Sequence, residues 1–472
     1  MSEAARLGGV LACAGLVALY LAPRRSARLA GLVAWALGTL LLALYLAPHG
    51  HRPLLAGAAV VGLGLAIAVA ALFLRLPWLA AVAALACAPF RIQVHVGSTD
   101  ASLLLPLYGV VVAAALALGW QLLRGDGRAR ELGRLALPLA AFVGWTGLST
   151  LWTEDLRQGA IGLLFFYLPF ALLAVVLARL PPERRWLRIL AIELAAIALV
   201  VAAIGLYQYV NRDVFWNPKV IVGNAYAPFY RVNSVFYDPS IYGRFLVCAI
   251  VVCLGFVLWR RLDRSSLLAT GAIVLIWVGL VFSFSQSSFA ALIAAVLVAA
   301  ALTWRRPAVI AIAVVAALVV AVGLATPQVR HHVFHASGTG LNSASSGRFK
   351  LVTNGARIAI AHPVIGVGTG SFRRAYANRL HLHGLEPKSA ASHDTPVTVA
   401  AETGVIGLVL FGWLLVVAFL ETLGRPSAAS RIVGLVLVAV TVHSLFYNAL
   451  FEDPFTWGAF GFAALLSQDE PT

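Results

Sequence analysis

The sequence predicts an all-α, polytopic transmembrane helical bundle with a long, partly helical, outward-facing loop. Three observations carry that prediction. Of the 472 residues, 61% are hydrophobic and only 11% are charged, against roughly 25% charged in ordinary soluble domains. So few charges cannot cover the surface of a water-soluble chain of this size. Apolar runs of about the 20 residues that a bilayer crossing needs recur along the chain. Arginines gather in alternate connections between those runs, which is the charge bias that sets membrane orientation. The formal net charge of +16 is therefore read as a topology signal, and no nucleic-acid partner is expected. Arginine outnumbers lysine 32 to 3. That reads mainly as a base-composition bias, but arginine is also the residue suited to two-pronged phosphate binding.

The candidate spans, in order, are 8–23, 29–48, 54–74, 77–90, 102–123, 135–152, 158–178, 186–210, 239–259, 266–284, 288–304, 307–325, 397–420, 432–450 and 454–467. The fourth and the last are short, so the count is 14 or 15. The first run is followed by many more and reads as a span rather than a cleaved signal peptide. Arg24, Arg25 and Arg28 follow the first span; Arg124, Arg128, Arg130 and Arg134 the fifth; Arg179, Arg184, Arg185 and Arg188 the seventh. Arg260, Arg261 and Arg264 follow the ninth, Arg305 and Arg306 the eleventh, and Arg425 and Arg431 the thirteenth. These alternate connections share one side, the cytoplasm. The long loops 211–238 and 326–396 then face outward. The chain divides into an N-terminal transmembrane extension (1–90), a core with the loop 211–238 (91–325), the large loop (326–396) and C-terminal helices (397–467). Cys13, Cys87, Cys248 and Cys253 lie in apolar stretches without metal-ligand spacing and read as small buried hydrophobes.

Long segments outside the membrane in so compact a chain are usually functional. In the large loop, 347–361 has helical spacing, with Phe349, Val352, Ala356 and Ala359 on one side and Pro363 as the stop. "GVGTGS" (Gly366, Gly368, Gly370) follows, then a second helix from Phe372 to Leu382. The glycines resemble a nucleotide fingerprint only weakly, because no strand-turn-helix unit surrounds them. A tight turn between two loop helices is the better reading. His331, His332 and His335 are spaced like ligands but read as solvated loop residues, and no metal or other cofactor is expected.

Four ionisable groups stand out on the outward side: Arg231 in "YRVNSVFYDPS", Arg244 in "YGRFL", Arg348 in "SGRFKL" and His393 in "SHDTP". Arg244 lies about a turn inside a span, where a charge normally faces a cavity or partner or snorkels to the interface. Arg231 and Arg348, read from chemistry alone, favour solvated loop charges or local ion pairs. In "SHDTP", Ser392, Asp394 and Thr395 are available as caps before a proline in the first helical turn. That does not require the histidine, whose neutral ring could take a proton from a hydroxyl. Glu402 lies nine residues beyond His393, on roughly the opposite face of a regular helix, and packs against a polar neighbour rather than pairing with it.

The order of these pieces resembles the O-antigen ligase and polymerase family. "RVNSVFYDPSIYGRFL" resembles its R-x-x-G-x-F-x-x-P-N loop, and "FSFSQSSFAAL" its T-x-S-R-x-A-x-L element. "GRFKLVTNGARIAIAHPVIGVGTGSF" resembles its G-R-x-x-x-W…P-x-x-G-x-G-x-G-x-F element. "SHDTPVTVAAETGVIGLVLF" resembles its A-H-N-x-x-L…E-x-G-x-x-G element. The likeness covers about residues 200 to 465. Ser234, Ser240, Gln286 and Asp394 depart from the family's Gly, Asn, Arg and Asn. The resemblance implies a GT-C-type bundle in the bacterial cytoplasmic membrane with its active site facing outward. It implies a metal-independent, inverting glycosyltransferase whose partners are an undecaprenyl-pyrophosphate-linked glycan donor, a glycan or lipid-linked acceptor, and membrane lipids. It implies that Arg231 and Arg348, with Arg244 as a weaker third, bind the pyrophosphate, and that His393 is the base. Protein O-oligosaccharyltransfer is an alternative. A transporter or flippase would want polar groups through the bilayer midplane and repeated halves, and neither is found.

The topology has a direct test. Cysteines introduced at Ser337 and Ser427 are expected to label from opposite sides of intact cells, Ser337 from outside; labelling from one side would break the span assignment.

Overall fold

In hydrocarbon every backbone polar group needs an internal partner, and a helix supplies one to each residue along its own length. The computed structural model describes residues 2–47, 52–96, 99–129, 131–215, 217–226, 229–259, 263–305, 307, 310–311, 347–382 and 391–468. The span expected at 307–325 falls almost wholly outside these residues, as do His331, His332, His335 and Ser337.

The helices are α1 (Ser2–Leu21), α2 (Arg25–Leu46), α3 (Arg52–Arg75), α4 (Leu79–Cys87), α5 (Leu105–Leu123), α6 (Ala136–Leu148) and α7 (Leu156–Gly162). They continue with α8 (Leu168–Ala178), α9 (Arg184–Asn211), α10 (Pro218–Tyr226), α11 (Pro239–Trp259), α12 (Arg264–Ser283) and α13 (Gln286–Trp304). Beyond these come α14 (Arg348–Ala361), α15 (Phe372–Arg379), α16 (Thr395–Thr422), α17 (Ala428–Ser444) and α18 (Pro454–Ser467). A single π-turn, Leu163–Tyr167, joins α7 to α8. Among the described residues, 10 helical stretches are long and apolar enough to cross a membrane, counting α7 through α8 as one. The chain is a multi-pass helical membrane protein.

Two expected spans take a different form. The one at 77–90 is the nine-residue α4, about 14 Å long, under half of a hydrocarbon core. After it, β1 (Ile92–Val96) and β2 (Thr99–Leu103) pair antiparallel, Ile92 opposite Leu103. The span at 135–152 holds the 13-residue α6 between two 3-10 turns. The last expected span, 454–467, is the 14-residue α18 over the same residues. In the loop helix α14 the buried face is Leu351, Asn354, Gly355 and Ile358, next to the one expected. Phe349 is exposed, because α14 packs its small Gly355 against α16, where an added Cβ would lie 2.8 Å from Val397 Cγ1.

Helices without a hydrophobic drive between them associate through small residues. A Cβ on Gly15 would stand 2.4 Å from Gly31 O, and one on Gly38 2.4 Å from Gly8 O, so α1 and α2 touch backbone to backbone. Cys13 fills the matching space at Gly147 of α6. All four cysteines are free, and only Cys87 is less than fully buried.

The arginine-rich connections converge on one end of the bundle. Arg28 Nη2 lies 2.5 Å from Glu131 Oε1, and Arg179 pairs with the same oxygen and with Asp126 at 2.7 Å. Arg128, hydrogen-bonded to Asp126, holds that carboxyl well below its ordinary range. Gln468 Nε2 donates to Glu131 O and Ala178 O at 2.5 and 3.1 Å. Removing Glu131 would leave two buried guanidinium groups short of their shared partner. Glu131→Ala is expected to destabilise the chain by about 3–5 kcal/mol, read as a lowered midpoint of thermal unfolding in detergent; a change within measurement error would show the cluster to be dispensable.

Candidate functional site

The site is built around the start of α16 and a break within that helix. At the start of the helix, Asp394 is the N-cap and its Oδ1 accepts the Val397 N–H at 2.8 Å. Burial raises the Asp394 carboxyl above its ordinary value, against that hydrogen bond. Ser392 Oγ donates to Asp394 O at 2.6 Å and lies 2.8 Å from Thr398 Oγ1. Between these fixed neighbours His393 sits at φ 63, a left-handed conformation in which histidine is enriched but most side chains are rare. Strain of this kind persists where surroundings enforce it, and it clusters at functional sites. Because His393 precedes the helix, helical spacing does not govern where its ring points. Its ring centre lies 6.3 Å from that of Tyr447, edge to face.

Ten residues on, α16 breaks at Gly404 (φ 69, ψ −168). The segment 363–368 lies along the break and takes up its backbone groups. Val405 N–H donates to Pro363 O at 2.8 Å, Val367 N–H to Ala401 O at 3.0 Å and Gly368 N–H to Glu402 O at 2.8 Å. The fit is between bare backbones: a Cβ on Gly404 would lie 2.1 Å from Val364 O, and one on Gly366 2.4 Å from Glu402 C. "GVGTGS" is thus a turn between α14 and α15, as the sequence suggests, and also the strap that closes the break. Glu402 Oε1 accepts the Phe372 N–H at 3.2 Å at the start of α15, the polar neighbour expected for it.

Arg231, Arg348, His393 and Glu402 all line one cavity of about 1280 Å³. Arg231 is fixed on both sides: its N–H donates to Asn224 Oδ1 at 2.9 Å, its carbonyl accepts from Asn224 Nδ2 at 2.8 Å, and its Nε donates to Ser283 O at 3.1 Å. That leaves both terminal amino groups of the fork without a protein hydrogen bond among the described residues. Burial draws the Arg231 guanidinium down from its ordinary value, countered by Asp238 and reinforced by the like charge of Arg348; it still carries its charge at neutral pH. Arg348 is the first residue of α14, after Gly347 at φ 87, and has no ion pair among the described residues. Two arginines lining one cavity, neither in an ion pair among the described residues, suit a multiply charged anion.

Arg244 has a different place from the one expected. It is buried, does not line the cavity, and its Nε lies 2.6 Å from Asp453 Oδ2. A guanidinium this deep needs a fixed counter-ion, and Asp453 on the last interhelical connection supplies it, tying α11 to α18.

Ser234, where the resemblance expects glycine, has φ 52. The turn needs a left-handed residue, and serine holds it through Oγ donating to Val201 O at 2.7 Å and a paired contact with the Gln208 amide at 2.7 and 3.0 Å. Gln286, the first residue of α13, also faces the cavity. Sequence reasoning did not single out Tyr447 and His443. His443 Nε2 lies 3.1 Å from both Ser287 Oγ and Ser240 O, and its ring stands 5.7 Å from that of Tyr447. Both sit in an apolar run, and only the fold brings Tyr447 beside His393, with His443 behind it.

Residues 271–412 match a family model described as O-antigen ligase. The match runs from α12 into α16 and includes Arg348, His393 and the strap. Among curated proteins, none matches the chain.

A methyl group at the break would separate strap from helix. Gly404→Ala is expected to leave membrane insertion intact while making 363–371 open to added protease; unchanged protease resistance would mean that the strap does not depend on the break.

Proposed function

We propose, for a multi-pass membrane protein that carries an O-antigen ligase domain, that the cavity is the active site of an inverting glycosyltransferase on the outer face of the bacterial cytoplasmic membrane. The donor is a glycan on undecaprenyl pyrophosphate and the acceptor is a hydroxyl of another glycan or lipid-linked glycan, as in a ligase or polymerase of surface polysaccharide. The observation that carries this reading is that Arg231, Arg348 and His393, drawn from three distant stretches of chain, line one cavity.

In this mechanism the acceptor oxygen attacks the anomeric carbon from the side opposite the pyrophosphate. The carbon–oxygen bond to the pyrophosphate breaks, and undecaprenyl pyrophosphate departs with both electrons. The free forks of Arg231 and Arg348 hold that leaving group and stabilise the charge growing on it. His393 accepts the proton from the attacking hydroxyl. Its left-handed backbone fixes the ring at the mouth of α16, where a water-borne or membrane-bound hydroxyl can meet a donor that stays at the membrane surface. Arg244 has no part in this, since its charge is spent on Asp453.

With purified protein, a lipid-linked glycan and its acceptor, turnover is expected to persist in chelator and to release undecaprenyl pyrophosphate. His393→Ala is expected to slow transfer by about 10²–10⁴ with donor binding retained. Arg231→Lys and Arg348→Lys keep the charge but lose the planar fork, and both are expected to lose most activity. Near-normal transfer by His393→Ala would remove the base, and lysine serving as well as arginine at both sites would reduce the pyrophosphate grip to general attraction.

A further inference from the structure

The cavity has two ends of different chemistry. Among the described residues, Arg231 and Arg348 are its only lining arginines and no lysine lines it. The other end is aromatic and acidic. Tyr167 closes the π-turn between α7 and α8, an uncommon widening of a helix that is often found at functional sites. It is half-buried, lines the cavity and makes no hydrogen bond among the described residues. Phe451 stacks behind it with ring centres 5.3 Å apart and planes at 26°, and Phe142 stacks on Phe451 at 4.7 Å and 28°. Glu452 follows Phe451 and faces the cavity without hydrogen bond or ion pair among the described residues.

The groups that line the cavity differ in their charged neighbours. Arg231 is within reach of Asp238, Arg348 and Tyr447. Glu402 is within reach of Glu452 and Asp155, and Tyr167 of Glu402 and Glu452. Tyr447 stands between, within reach of Asp238 and Glu452. Arg91 and Arg244 also act on Glu452, but neither lines the cavity, and Arg244 is already bound to Asp453. A ligand at this end therefore meets a ring face and carboxylates, with the free cations at the far end.

We propose that this end is a binding subsite for an uncharged pyranose ring of the glycan substrate, with Tyr167 as the stacking platform and Glu452 as the acceptor of its hydroxyl hydrogens. A pyranose has one face of C–H groups and a rim of hydroxyl donors. The first suits an aromatic ring and the second suits a carboxylate whose lone pairs are unclaimed. A uronic acid in that position would set a third carboxylate beside Glu402 and Glu452, so the subsite selects neutral sugars over acidic ones. The inference rests on the glycosyl-transfer reading of the cavity and adds to it the class of sugar that the enzyme handles.

The test uses the full chain in lipid nanodiscs with two kinds of probe. Pentyl glycosides of a panel of neutral hexoses, and pentyl glucuronide, report the proposed subsite by saturation-transfer NMR. Geranylgeranyl pyrophosphate reports the arginine end. At least one neutral glycoside is expected to bind, with the glucuronide weaker by on the order of tenfold. Tyr167→Ala and Glu452→Ala are expected to weaken the neutral glycoside by on the order of tenfold and to leave geranylgeranyl pyrophosphate binding in place. The nearly isosteric Glu452→Gln is expected to keep the neutral glycoside and to lose the discrimination against the glucuronide. Should no neutral glycoside bind while the lipid pyrophosphate does, the subsite is overturned. It is equally overturned if the glucuronide binds as well as neutral sugars, or if Glu452→Gln leaves the discrimination intact. Failure of geranylgeranyl pyrophosphate to bind the parent chain would instead overturn the reading of the arginine end.

Discussion

The break in α16 at Gly404 frees backbone groups that α16 cannot satisfy itself, and the rest of the site follows from how they are satisfied. Water is scarce in a bundle of this composition, so the partner has to be another stretch of protein. Segment 363–368 is that stretch, and its hydrogen bonds to Ala401, Glu402 and Val405 fix the loop against the bundle. Once the strap is seated, α14 and α15 on either side of it have little freedom. Arg348 is carried to the cavity at one end of α14, and Glu402 receives the first N–H of α15. The glycines matter because backbones meet here with no room for a side chain between them.

Charge is placed in this molecule by the same economy. At one end, Arg28, Arg128 and Arg179 share Glu131 and Asp126 in a closed network that leaves little unmatched charge. Within α11, Arg244 has a single dedicated partner in Asp453. Arg231 and Arg348 line the cavity without an ion pair among the described residues. The contrast with Arg244 comes from the partner that the fold supplies, which sequence position alone does not reveal.

Much of the fold was legible because hydropathy and arginine bias report directly on which segments are apolar and which connections share an end. The long helices α9, α11 and α13 fall where the apolar runs do. The failures have a common cause. A run such as 77–90 or 135–152 is apolar enough to span, but its helix stops early for reasons of packing and turn geometry that composition does not encode. The site was legible in part. Residue chemistry alone left Arg231 and Arg348 as ordinary loop charges, and the family motifs were needed to single them out; Arg244 stayed a weaker third candidate in sequence because its partner lies 209 residues away at Asp453. Tyr447, His443, Tyr167 and Glu452 were silent, since a polar residue in or beside an apolar run looks the same whether it faces lipid, protein or a cavity. His393 and Glu402 were set on opposite faces by helical counting, which assumed a helix that His393 does not belong to.

The uniform apolarity of α8 has a consequence for how the chain is made. Nearly every residue of α8 is buried, and one side of it is covered by α18, where Gly461 packs on Ala174 and Gln468 reaches Ala178. Those partners lie 290 residues apart, an interval of roughly 15 to 60 s at ordinary rates of synthesis. Through that interval α8 has lipid where α18 will be. A helix carrying a polar stripe for a future neighbour would be penalised for the whole wait. One that is apolar on every side loses nothing, and can exchange acyl chains for protein whenever its partner arrives.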